Sequence, residues 1–126
     1  MHINKLFNIN GKKALITGGS RGIGEMIAAG FLANGVKVYI TARKEAPLME
    51  KAQELSEKFN GECIAIPCDL SNMEGIQKLA SDYLDHEDSL DILVNNAGAA
   101  WGEPYENFSE KGWDKVWIQM LKACFF

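Results

Sequence analysis

Four short apolar runs, each followed by a longer helix-favouring stretch, leave this chain few ways to bury its hydrophobic side chains. Periodicity predicts strands at Lys13–Thr17, 36–41, 62–67 and 90–94. Helices are predicted over 22–34 and 46–59, from a cap at Ser71 or Asn72 to about His86, and from a cap at Ser109 over 110–126. Gly35 follows the first helix as a C-terminal stop. In the fourth strand, Leu90 and Ile92-Leu93-Val94 are near-continuously apolar, the pattern of a parallel strand covered on both faces. Strand and helix alternating with short links predict parallel βαβ units joined by right-handed crossovers. The fold class is therefore α/β, a doubly wound parallel sheet with strand order 3-2-1-4. The first and fourth strands then flank the crevice where the connections switch faces, which is where such sheets bind ligands.

The two most distinctive loops leave those two strands. Thr17-Gly18-Gly19-Ser20-Arg21-Gly22-Ile23-Gly24 joins the first strand to the first helix, and Asn95-Asn96-Ala97-Gly98 follows the fourth strand. Glycines let the backbone turn tightly and approach a ligand, while the helix opening behind them presents free N–H groups and its positive dipole end to an anion. Glycine spacing alone is weak, but between a strand and a helix it reads as the phosphate-binding turn of a dinucleotide site.

The 126 residues suffice for one domain with a moderate core. A complete doubly wound dinucleotide enzyme takes about twice that length, so the chain is expected to be part of something larger. Charged residues are 24% and hydrophobic ones 47%, an ordinary globular balance. A formal charge of -4 without a basic run argues against nucleic acid as the main partner, so an anionic ligand must be met by local groups. No apolar stretch reaches the length of a membrane span, and Met1-His2-Ile3-Asn4-Lys5 lacks the apolar segment of a secretory signal. No membrane partner is expected, and the expected location is the cytoplasm. Cys63, Cys68 and Cys124 have no metal-ligand spacing and read as buried free thiols suited to a reducing compartment.

Three motifs in order resemble one family: the Thr-Gly-x3-Gly-x-Gly turn, the pair Asp69-Leu70 after the third strand, and Asn95-Asn96-Ala97-Gly98 after the fourth. They are similar to those of the short-chain dehydrogenase/reductase family. Gly-Gly-Ser-Arg-Gly-Ile-Gly is especially like the turn of its 3-oxoacyl-acyl carrier protein reductases and rhamnolipid-type reductases. The resemblance covers the chain as the family's N-terminal half, so residues 1–126 are expected to be the N-terminal part of a single Rossmann dinucleotide-binding domain. It implies that Gly18, Gly22 and Gly24, with Ser20, Arg21 and Ile23 in the same turn, shape the pyrophosphate site. It further implies that Asp69 and Leu70 contact the adenine ring, that Asn96, Ala97 and Gly98 pass the cofactor ribose, and that Asn95 steadies the sheet. A homo-oligomer is implied by resemblance only.

Cofactor choice turns on the end of the second strand, where an acid would accept hydrogen bonds from the ribose of NAD and repel an extra phosphate. The sequence there is Ile40-Thr41-Ala42-Arg43-Lys44, with no acid. Arg43 offers a charge-assisted grip on a 2′-phosphate, with Arg21 as a second candidate, so NADP (as NADPH) is the expected cofactor.

The family exchanges hydride between the nicotinamide and a carbonyl or alcohol, with a tyrosine whose pKa a nearby lysine lowers. The Tyr-x3-Lys spacing that would put both on one helix face is absent: Tyr39 leads to Arg43, Tyr83 to Glu87 and Tyr105 to Ser109. In the last helix, Trp113-Asp114-Lys115-Val116-Trp117-Ile118-Gln119-Met120 puts Met120 where the family carries an asparagine, and a thioether cannot replace an amide that both donates and accepts. Gln119 points about a third of a turn away from that position. No catalytic residue is assigned within the chain. The expected function is the cofactor-binding half of an NADP-dependent oxidoreductase acting on a small carbonyl or alcohol substrate, with a 3-oxoacyl thioester as the candidate the resemblance offers; the alternatives are an inactive NADP-binding module and, more remotely, a binder of flavin mononucleotide. Trp113, Val116, Trp117, Met120, Leu121 and Cys124 recur at helical spacing and read as core or subunit contact.

Overall fold

The computed structural model describes residues 2–125. Strands β1 (Lys13–Thr17), β2 (Lys37–Ala42), β3 (Cys63–Pro67) and β4 (Ile92–Val94) form one sheet in the order β3-β2-β1-β4. All three pairings are parallel, with Leu15 opposite both Tyr39 and Leu93. The helices are α1 (Ile3–Leu6), α2 (Gly22–Ala33), α3 (Glu45–Phe59), α4 (Met73–Leu84) and α5 (Glu110–Phe125), with a 3-10 turn at Tyr105–Asn107.

Side chains alternate across the sheet and divide the core into two layers. Ala14 and Ile16 of β1 and Val38 and Ile40 of β2 pack on Ala28 and Leu32 of α2 and on Leu48, Ala52 and Leu55 of α3. Leu15, Tyr39 and Ile66 point the other way, onto Ile76, Leu79 and Tyr83 of α4, with Ala123 of α5 packed against that layer. Each fully buried aliphatic side chain, such as Ile16, Ile40 or Leu48, contributes about 1.5–3 kcal/mol. Two helices on each face of a parallel sheet make the doubly wound architecture, and β1 beside β4 sets the switch of connections at the sheet's middle.

Helix α4 begins where its capping residue dictates. The Asn72 side chain accepts a hydrogen bond from the Gly75 N–H at 2.8 Å. Asn72→Ala is expected to cost about 1 kcal/mol in urea unfolding and Asn72→Gly only a few tenths, because glycine keeps the cap's backbone accessible to water. Equal losses for the two variants would reject the capping role.

The strands fall within two residues of their predicted bounds, and the fourth starts at Ile92 rather than Leu90. Three expectations are corrected. Strand β4 is not covered on both faces among the described residues: Ile92 and Val94 pack on the α2–α3 layer, while Leu93 is 52% exposed. Cys63 and Cys68 are buried, with burial pushing the Cys63 thiol up to about 12 and raising that of Cys68, but Cys124 is exposed. Of the two readings of the α5 apolar stripe, core or subunit contact, the core one is corrected: Trp113, Trp117, Met120 and Leu121 are exposed. The inward stripe is Gly112, Val116, Gln119 and Ala123, which also recurs at helical spacing. Among the described residues, no helix is long and apolar enough to cross a membrane.

Candidate functional site

The glycine turn is held in place from two sides. At the end of β2, the Thr41 carbonyl accepts the N–H groups of Gly18 and Gly19 at 2.9 and 3.1 Å. At the end of β4, Asn96 donates its side-chain amide to the carbonyls of Thr17 and Gly18 at 3.0 and 3.1 Å. The Thr17 hydroxyl, buried between the strands, accepts the N–H groups of Asn96 and Ala97 at 3.0 and 2.9 Å and donates to the Val94 carbonyl at 3.3 Å. Four hydrogen bonds thus lock the two distinctive loops together, independently of the short β1–β4 ladder.

That junction differs from expectation in one residue. The side chain that ties β4 to β1 is Asn96, whereas Asn95 is exposed. Successive side chains of extended backbone point in opposite directions, so only one of two adjacent asparagines can reach back to β1. Sequence reasoning also passed over the hydroxyl of Thr17, a polar group closing an otherwise apolar strand.

Within the turn, Gly18 and Gly22 adopt φ of +70° and +60°, a region that favours glycine. Gly24 is buried, and a Cβ there would run into the Gly18 carbonyl and approach the Asn96 amide to 2.7 Å. Arg21 occupies the N-cap position of α2 with extended backbone and makes no side-chain cap. Among the described residues, the N–H groups of residues 20–24 have no backbone partner, so the start of α2 keeps its donors for an anion. Arg21, Gly22 and Ile23 are exposed there, and Ser20 is half-buried.

Beyond β2, Arg43 is exposed and makes no salt bridge among the described residues. It lines an open cleft of about 620 Å³ together with Ser71, and the opposite wall is α5, through Glu110, Lys111, Asp114, Lys115, Ile118 and Gln119. Next to Ser71, the Asp69 carboxylate accepts the Ser71 N–H at 2.9 Å. That bond, the Ser71 hydroxyl and the nearby charge of Arg43 hold the Asp69 carboxyl below its ordinary value. Leu70 is buried in the α4 layer, and Gly98 faces open space. The Trp101 ring lies against Gly112, with Lys115 and Lys111 at 4.7 and 6.0 Å from its centroid. Tyr105 is 94% exposed.

These parts share the carboxyl edge of one parallel sheet: a turn with free amides, a guanidinium beyond β2, an anionic Asp69 beyond β3 and the β4 loop bonded to the turn. Such an edge can hold a phosphorylated nucleotide by amides and a cation, with an acid left for hydrogen-bond donors.

Comparison with known proteins agrees with this arrangement. The family described as short chain dehydrogenase matches residues 12–126. The chain is 47% identical over 110 residues to a rhamnolipids biosynthesis 3-oxoacyl-[acyl-carrier-protein] reductase of Pseudomonas aeruginosa, covering 87% of this chain and 42% of that protein. It is 37% identical over 123 residues to a 2-dehydro-3-deoxy-D-gluconate 5-dehydrogenase of Dickeya dadantii, covering 95% of this chain and 46% of that one. Its fold superimposes on the Pseudomonas aeruginosa RhlG/NADP active-site complex with a TM-score of 0.90 at 44% identity, covering 99% of this chain and 47% of that chain. L-sorbose reductase from Gluconobacter frateurii, complexed with NADPH and L-sorbose, matches with a TM-score of 0.86 at 34% identity, covering 93% and 44%. The chain spans less than half the length of each of these relatives. With the family match running from β1 to the end of α5 and the site's loops in the order the sequence motifs require, the chain belongs to the short-chain dehydrogenase/reductase family.

Proposed function

We propose that this chain is the cofactor-binding half of an NADP-dependent short-chain oxidoreductase. The observation that carries the reading is the placement of Arg43: a free guanidinium beside the cleft, at a strand end that has no acid. The relatives whose structures contain NADP or NADPH support it. In this reading, the amides of residues 20–24 hold the pyrophosphate, with Gly18, Ser20, Arg21, Gly22, Ile23 and Gly24 forming its cradle. Arg43, with Arg21, takes the 2′-phosphate. Asp69 and Leu70 meet the adenine, and Asn96, Ala97 and Gly98 flank the ribose, Asn96 acting by fixing the turn. The bound nicotinamide supplies hydride exchange with a carbonyl or alcohol. The residues of this chain bind and orient it, and proton transfer is assigned to none of them. The substrate class is a small carbonyl compound, with a 3-oxoacyl thioester as the leading candidate on the strength of the Pseudomonas aeruginosa relative. The free cysteines suit a reducing cytoplasm, and the exposed apolar side chains of α5 suit a homo-oligomer.

Arg43→Ala tests the reading. Charge-assisted hydrogen bonds are worth about 1.5–3 kcal/mol, so the preference for NADP over NAD is expected to fall at least about tenfold by titration calorimetry. An unchanged preference would remove Arg43 from the site. A second reading, an NADP-holding module without turnover, is favoured by Met120, which stands where the family has an asparagine and is 45% exposed. Carbonyl-dependent oxidation of NADPH by the full-length protein separates the two: turnover rejects the module, and binding without turnover supports it.

A further inference from the structure

We infer that Gln119 is a base-recognising residue of the cofactor cleft, an inference that rests on the NADP reading above. Helix α5 is turned so that its small and polar stripe faces the sheet. Gly112 lies against the Trp101 ring at one end, Ala123 packs on the α4 layer at the other, and Gln119 sits between them on the same stripe. Its side chain is half-buried, lines the cleft opposite Arg43 and Ser71, and has no hydrogen-bond partner among the described residues.

The groups around it divide the labour by charge. Arg43 supplies a full positive charge, which suits a phosphate. The lysines of the α5 wall are drawn to the Trp101 ring, and Ser71 is turned to Asp69. The α5 wall also carries the carboxylates of Glu110 and Asp114, which repel a phosphate, and its uncharged part is the apolar Ile118 beside the neutral amide of Gln119. An apolar surface next to a group that both donates and accepts matches a heteroaromatic base, which has a flat apolar face and an uncharged edge of nitrogen donors and acceptors. A phosphate would gain little from a neutral amide flanked by Asp114. The amide of Gln119 therefore hydrogen-bonds the adenine ring while Arg43 holds the phosphate.

The test uses Gln119→Met, which keeps length and helix propensity but removes hydrogen bonding, in the full-length protein. The probes are 2′,5′-ADP and 5′-AMP, which share adenosine and differ in the 2′-phosphate. Affinity for both is expected to fall about five- to tenfold in Gln119→Met, the effect of leaving a half-buried polar partner unmade, with their ratio unchanged. In Arg43→Ala the ratio itself falls. If 2′,5′-ADP binds the unaltered protein but Gln119→Met changes its affinity less than twofold, the inference fails and the NADP reading stands. If Gln119→Met lowers the ratio, Gln119 acts on the phosphate and the inference fails as well. If 2′,5′-ADP does not bind the unaltered protein, the NADP reading fails and this inference with it. Thermal melting of the variant within a degree or so of the parent, roughly what a conservative surface change leaves, shows that the fold is intact.

Discussion

Gly24→Ala is expected to abolish cofactor binding and to destabilise the fold together. The added methyl would meet the Gly18 carbonyl and the Asn96 amide, and neither is the loose end of a flexible side chain. The Gly18 carbonyl is main chain, and the Asn96 amide is fixed by hydrogen bonds to Thr17 and Gly18. To admit the methyl, either α2 moves away from the turn or the Asn96 bond to Gly18 breaks. The first movement takes the helix's N–H groups off the anion, and the second leaves a half-buried amide short of an acceptor. Overpacking of this kind costs about 1–3 kcal/mol in urea unfolding. Loss of NADP affinity of about a hundredfold or more follows, because the donors act as a set fixed by backbone geometry. Gly30→Ala, in the same helix, meets nothing within 4 Å and is the control: it is expected to stabilise by a few tenths to about 1 kcal/mol. Should Gly24→Ala bind NADP as the parent does, the turn is not the pyrophosphate site.

How far the sequence alone reached depended on whether a local pattern carried the answer. Strand β1 was legible to the residue, because Ala14-Leu15-Ile16 is bounded by Lys13 and by the glycine turn, and sheet order followed from the alternation of elements. The tight glycine turn after β1 was legible for the same reason, since positive φ at Gly18 and Gly22 and the close approach at Gly24 each demand glycine at a fixed spacing. Orientation was not legible where two faces competed. In α5, the run containing Trp113 and Trp117 declares that an apolar stripe needs cover but not what covers it, and Gly112 against Trp101 turns the other stripe inward. In Asn95-Asn96 the residue types are identical, and only the alternation of the backbone decides which one reaches β1. Helix α1 is a single turn, too short for any periodicity to register. Glu87 stood in the polar stretch His86-Glu87-Asp88 with nothing to distinguish it, because its partners come from β1 and β2.

Acid is expected to unfold the protein chiefly through Glu87, at the end of the sheet opposite the glycine turn. Lys13 and Lys37 open β1 and β2 as paired neighbours, and both reach this carboxylate, at 2.9 and 2.6 Å. The Tyr39 hydroxyl donates to it at 2.6 Å, and the Tyr39 ring packs edge-on against Tyr83, whose own hydroxyl bonds the Ser89 carbonyl at 2.8 Å. One carboxylate thus joins two strands to the link between α4 and β4, with its side chain only 9% exposed. Lys37, Tyr39 and Lys13 together lower its pKa from the ordinary 4.5 to about 2. The folded state therefore releases this proton where the unfolded chain still holds it. Its contribution is complete above 4.5 and is lost as pH falls from there to about 2. At the alkaline end the sign reverses. Burial and the bond to Glu87 push Tyr39 from 10.0 up to about 12, so its contribution is present below 10.0 and lost as pH rises towards 12. Glu87→Gln, measured by urea midpoints across pH, is expected to be clearly less stable than the parent at neutral pH, with a shallower fall between 4.5 and about 2. The two curves should meet at the acid end, where a protonated Glu87 and a glutamine offer the lysines the same neutral partner. Some slope survives in the variant, because hydrogen bonds also hold Asp69 and Asp91 below their ordinary values. A variant that keeps the parent's full acid slope would show that other carboxylates carry it and that the Glu87 cluster ties the sheet edge by geometry alone.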